Sequence, residues 1–179
     1  MSGKLNFIRF VFLSLLLCVS TLYAQPANIL VWNLTFTRPE NWVWEEPPKT
    51  SSALNRFTIP SGGVVRTDVR FYIVKKDVAS ERAALLQQFP GSSATDIQEQ
   101  EIKVGKQKIV YFKIGGTYKY KDTSARPDQL WLGAAIPSGK QFVYVRINGP
   151  RAEVDAQLPI FKKMVENAVR EREGESIVQ

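Results

Sequence analysis

Apolar and polar residues along this chain change period several times, and each change marks an element. From Val64 to Val74 the sequence VVRTDVRFYIV alternates, with Val65, Thr67, Val69, Phe71 and Ile73 on one face. Arg66, Asp68, Arg70 and Tyr72 fall on the other face. Period two with one apolar side predicts a half-buried strand. Asn55–Ile59 (NRFTI) reads as a shorter strand, and Ser61-Gly62-Gly63 as the turn that joins the two into a hairpin. Upstream, Asn28–Phe36 (NILVWNLTF) is one β-rich run. Trp42 and Trp44 alternate in the Pro-bounded stretch Arg38–Pro48 and are expected to share a strand face.

Over Asp77–Phe89 the period lengthens. Val78, Ala79, Arg82, Leu85, Leu86 and Phe89 predict a three-turn helix, with Asp77 or Ser80 as cap and Pro90-Gly91 as stop. Four strands follow: Asp96–Val104, Gln107–Ile114, Gln129–Ile136 and Gln141–Ile147. The first two are joined at Gly105-Lys106 and the last two at Pro137–Lys140. Gly115–Asp128 is expected to be a long exposed loop. After Gly149-Pro150, Val154, Leu158, Phe161, Val165, Ala168 and Val169 recur at helical spacing and form one apolar stripe. Pro159 interrupts that pattern, so either a kink or a second helical start is expected there. Strands, helix, four strands, helix is the order of an α+β layer fold.

The N-terminus has a separate pattern. Lys4 and Arg9 precede Phe10–Ala24, fifteen uncharged residues. A basic start followed by a short apolar run predicts a secretory signal over residues 1–24, cut after Ala24. The run is short for a bilayer crossing, which takes about 20 residues. Retention as an N-terminal anchor is the alternative, and it would be the protein's one route to a membrane. Cys18 follows Leu17, where a lipid-modified cysteine would want a small residue. Cleavage leaves a single cysteine-free domain over residues 25–172 and a polar tail over 173–179. Its stability must come from packing, and its expected location is periplasmic or secreted.

Composition then narrows the chemistry. The chain has no His, which excludes imidazole triads and His metal sites. No cofactor or metal motif is present. The net charge of +7 becomes +5 when Lys4 and Arg9 leave. That balance suits an anionic surface, and export makes nucleic acid a poor partner. Candidate binding residues are Trp42, Trp44, Tyr118 and Tyr120, with Lys119 and Lys121 between and after the tyrosines. Lys103, Lys106, Lys108 and Lys113 extend the basic group. Trp32 and Trp131 read as core. Glu45/Glu46 and Glu99/Glu101 are the only carboxylate pairs worth weighing for hydrolysis.

The stretch Phe142–Val169, a strand running into Gly149-Pro150 and then a helix with Phe161 and Val165 on its stripe, resembles the end of PsbP-like domains. The opening is similar too: a strand before Pro39, Glu40-Asn41-Trp42, then NRFTIP at Asn55–Pro60 and a long alternating strand. The resemblance spans most of residues 28–170. It implies a curved antiparallel sheet of six or more strands sandwiched by helices. It also implies a binding or assembly-support role without a common catalytic site, as in photosystem II extrinsic subunits and a Ran-binding import factor. No functional residue is carried over, because the first helix leads here to Gln87-Gln88-Phe89. The expectation is therefore an exported non-catalytic binding domain with an envelope protein or anionic surface as partner. The alternative is a small secreted hydrolase using carboxylates or Ser/Lys.

Overall fold

In the computed structural model the described residues are 27–63, 65–75 and 78–175. The expected signal segment, Val64, the Asp77 cap and residues 176–179 lie outside them. Nine strands and two α-helices are described, and the fold is α+β. The strands are β1 (Asn28–Val31), β2 (Leu34–Thr37), β3 (Val43–Glu45), β4 (Asn55–Ile59) and β5 (Thr67–Val74). After helix α1 (Val78–Leu86) come β6 (Gln98–Val104), β7 (Gln107–Tyr118), β8 (Arg126–Ser138) and β9 (Gln141–Pro150), then helix α2 (Arg151–Glu175). β3 to β9 form one antiparallel sheet in the order β3-β4-β5-β9-β8-β7-β6, and β1 and β2 form a separate hairpin.

The apolar face of β5 is buried as its alternation requires, with Thr67, Val69 and Phe71 all inaccessible. β4 pairs with β5 across the expected hairpin. On the same sheet face Val143, Val145 and Ile147 of β9 join Leu130, Leu132 and Ala134 of β8. The β1–β2 hairpin and α2 close over this layer. Val154, Phe161, Val165 and Val169 are completely buried in it, so the helical stripe finds its partner. α2 continues through Pro159, which lies on the exposed side. There the missing N–H costs a bond to the Asp155 carbonyl but forces no ring into the core. The helix also runs to Glu175, so residues 173–175, expected in the tail, are helical.

Several sequence expectations are corrected. Asn28–Phe36 is two strands folded back at Trp32-Asn33, a turn with no Gly or Pro to announce it. Trp32 takes φ 57° there, and its side chain is 58% exposed, not in the core. Trp42 and Trp44 fall on one side of the sheet, since Trp44 stands opposite Phe57, the ring that Trp42 packs against, but they differ in burial. Trp42 lies outside β3 with its indole fully buried against Phe57 and Phe71, and its Nε1 donates to Gln157 Oε1 of α2 at 3.3 Å. Trp44 stays 43% exposed at the sheet edge. Trp42 therefore cannot form part of a surface. The long loop expected over Gly115–Asp128 shrinks to residues 119–125, because β7 and β8 extend their ladder past Gly115 and Gly116 to the pair Tyr118–Arg126.

Burial of Trp42 gives a direct test. Trp42→Ala is expected to cost about 3–5 kcal/mol in urea unfolding, the usual range for truncating a buried large aromatic. Trp44→Ala should cost about 1 kcal/mol or less. Equal losses would contradict the placement of the two rings.

Candidate functional site

The second face of the sheet is covered over only part of its width. α1 and the segment after it lie on β7, β8 and part of β9, burying Leu85, Phe89 and Ile97 against Phe112, Ile114, Trp131 and Tyr144. Beyond them the central strands β5 and β9 are uncovered, and their outward stripes meet. The register sets Arg70 opposite Arg146, Tyr72 opposite Tyr144 and Asp68 opposite Asn148. β4 adds Arg56 and Thr58 on the same face. The result is an open groove in the middle of the sheet, walled by α1 and by the 119–125 loop.

Two adjoining concavities make up the groove and share Arg70 and Arg146. The smaller, about 350 Å³, is lined by five arginines (Arg56, Arg66, Arg70, Arg126, Arg146) and two carboxylates (Glu45, Asp68). The larger, about 1050 Å³, runs under α1 past Tyr72, Trp131 and Tyr144 to Lys119, Tyr120 and Lys121.

Ion pairs consume part of this charge. Asp68 bridges Arg56, at 2.7 Å, and Arg70. Glu45 bridges Arg56 at 3.2 Å and Arg66 at 3.3 Å, and accepts from Thr58 Oγ1 at 3.0 Å. Arg126 and Arg146 make no salt bridge among the described residues. Each instead lies over a ring: Arg126 over Tyr118 at 5.0 Å and Arg146 over Tyr72 at 5.1 Å. Burial depresses the Arg70 guanidinium's affinity for its proton, but Asp68 and then Tyr72 more than restore it, so its pKa is raised. Tyr72 and Tyr118 are shifted up, mainly by burial, against the opposing pull of Arg146.

The floor under α1 holds polar atoms without partners. The Tyr144 hydroxyl and the Trp131 Nε1 are buried and make no hydrogen bond to any described residue. Gly133, opposite Arg146 on β8, lets the Trp131 indole lie flat on the sheet. A Cβ at Gly133 would stand 2.3 Å from two of its ring carbons. The loop is fixed from α1's end: Lys119 N donates to the Gln88 carbonyl at 2.8 Å, and Tyr118 Oη donates to Gln88 Oε1 at 3.3 Å. Within it Lys121 takes φ 50° and reaches back over the Tyr120 ring.

Among the residues singled out in the sequence, Tyr118, Lys119, Tyr120 and Lys121 thus come to the groove's margin. Tyr118 is buried as a prop for Arg126, whereas Tyr120 is 44% exposed. Trp44 stands apart at the edge strand. The other lysines do not form one patch: Lys108 pairs with Glu101 and Lys113 with Asp155 of α2, on opposite faces of β7. Glu99 and Glu101 are exposed, on Arg82 and Lys108 respectively, so neither sits with a second carboxylate in a cleft. Arg56, Arg70, Arg126 and Arg146 were not anticipated. Their signal was the polar positions of four separate strands, which read as solvated faces until the strands are paired.

Among the described residues no group of three acidic, His or Cys side chains is placed to hold a metal, and no helix is long and apolar enough to cross a membrane. No protein-family model matches this chain, and no curated protein matches it.

Two outcomes follow from this packing. Gly133→Ala should destabilise the fold by about 1–3 kcal/mol through overpacking against Trp131, read by urea unfolding, with a change in near-ultraviolet CD. The second concerns Tyr111 and Tyr144, both pushed well above the ordinary 10.0 by burial, with Glu166 adding at Tyr111 and Glu81 and Glu99 at Tyr144. Their neutral forms stabilise the fold fully below about pH 10, and that stabilisation is lost as pH climbs past 10 toward the raised values. Absorbance at 295 nm should therefore show them ionising only together with alkaline unfolding. Ionisation of Tyr111 and Tyr144 near pH 10 with intact near-ultraviolet CD would contradict their burial.

Proposed function

We propose that this chain is an exported, non-catalytic binding domain of PsbP-like type, and that the open groove on the β5–β9 face is its contact surface. The observation that carries the reading is a central pair of strands turning half-buried Arg70 and Arg146 into an open groove. In a two-sided sheet this position would ordinarily be covered by apolar residues. Polar residues there cost core area, and a surface of donors and ring faces held on rigid strands is suited to recognition. The excess of arginine favours an anionic partner, in line with the chain's net positive charge. Export rests on the basic start and apolar run of the first 24 residues. The hydrolase alternative has less support: Glu45 and Asp68 are held by guanidinium groups, and Glu99 and Glu101 stand on exposed cations.

Hydrogen exchange tests the surface whatever occupies it. Protein incubated with undialysed envelope extract should gain protection in the 119–125 loop and α1 relative to buffer. The Arg126→Ala/Arg146→Ala variant should lose that gain. Protection confined to α2, or unaffected by the double substitution, would overturn the assignment of the groove. Recovery of untrimmed protein in the cytosolic fraction would overturn export.

A further inference from the structure

We infer that the groove takes a small amphiphilic anion, with a carboxylate or phosphate head on Arg126 and Arg146 and a flat apolar body in the larger concavity, against Tyr72 and Tyr120. This rests on the groove being the binding surface and adds the chemistry of its ligand.

Charge pairing locates the head. Asp68 and Glu45 satisfy Arg56, Arg66 and Arg70, leaving Arg126 and Arg146 as the half-buried cations of the smaller concavity without a carboxylate. A partly desolvated guanidinium gains most from an anion that supplies the missing partner. Arg126 and Arg146 are held over tyrosine rings rather than by carboxylates, so a pair of ligand oxygens can still supply each guanidinium with an anionic partner. Arg70, Arg126 and Arg146 all act electrostatically on the Tyr118 hydroxyl, so the three cations converge on one corner.

The body site adjoins that corner. Arg146 borders both concavities, so a head bound there directs the rest of a ligand under α1. Of the rings that line the larger concavity, half-buried Tyr72 and exposed Tyr120 keep area for an apolar body, whereas Trp131 and Tyr144 are already covered by α1 and the segment after it. The size and pairing disfavour a polyanion. A polymer gains affinity from a row of uncommitted cations, whereas three of the five arginines here are already bound to carboxylates.

Calorimetric titration of the full chain at low salt tests this with four probes: naphthalene-2-carboxylate, 2-naphthyl phosphate, the neutral naphthalene-2-carboxamide and heparin. At least one of the two anions should bind, the carboxamide about tenfold more weakly or worse, and heparin without competing for the site. Comparison of carboxylate with phosphate tells which head is preferred. Arg146→Gln and Arg126→Lys should each weaken the anion about tenfold, the size of one lost charge-assisted contact, and leave carboxamide binding unchanged. The second variant keeps the charge and so separates bidentate bonding from net field. Equal binding of acid and amide, no binding of either anion at millimolar concentration, or full competition by heparin would overturn the inference. If the naphthyl anions fail while the groove still gains protection in envelope extract, the ligand class falls and the binding surface stands. Loss of both ends both.

Discussion

Seven cross-strand pairs between β5 and β9 hold the molecule together, because they join the N-terminal hairpin β4–β5 to the C-terminal meander β6–β9. The two strands lie far apart in sequence, so nothing local fixes their register; the side-chain pattern does. With Phe71 opposite Val145 and Val69 opposite Ile147, both apolar stripes fall on the face closed by α2. A slip of one residue would drive Arg70 and Tyr72 into that core and expose Phe71. The same register that buries the core thus necessarily brings Arg70, Arg146, Tyr72 and Tyr144 together on the opposite side.

That second side is where structure turns into function. A nine-residue α1 is too short to span the sheet, and its buried contacts concentrate on β7, β8 and β9. The uncovered strands keep a polar lining that a longer helix would have made intolerable to bury. Asp68 and Glu45 pair with three arginines and stiffen the wall, while tyrosine faces carry the two that remain. Gln88 ties the loop wall to α1, so both walls of the groove are anchored to one short helical segment. The site is preorganised by elements whose first duty is packing.

The apolar layer under α2 shows the complementary economy. Trp42 fills space between Phe57 and Phe71 and hands its one polar atom to Gln157, so the ring is buried without an orphaned donor. Thr67 does the same at the start of β5, donating to Glu153 in the first turn of α2 at 2.6 Å. These two bonds attach the helix to the sheet at defined points, over and above its apolar stripe.

Periodicity alone determined much of this: the α+β class, the β4–β5 hairpin, the alternation of β5 and the buried stripe of α2 with Phe161 and Val165. Those features are written locally, in spacing and in turn residues. What the tertiary structure decided depends on partners distant in sequence. Trp42 and Trp44 are two residues apart and look equivalent, yet one enters the core because Gln157 and Phe71 are waiting there, and the other stays at an edge. Trp32 forms a turn with no glycine to mark it, since pairing of Ile29 with Phe36 outweighs the local strain. Arg70 and Arg146 each read as one residue of an ordinary solvated face. Only the pairing of their strands, and the shortness of the helix above them, makes those two faces the lining of a single groove.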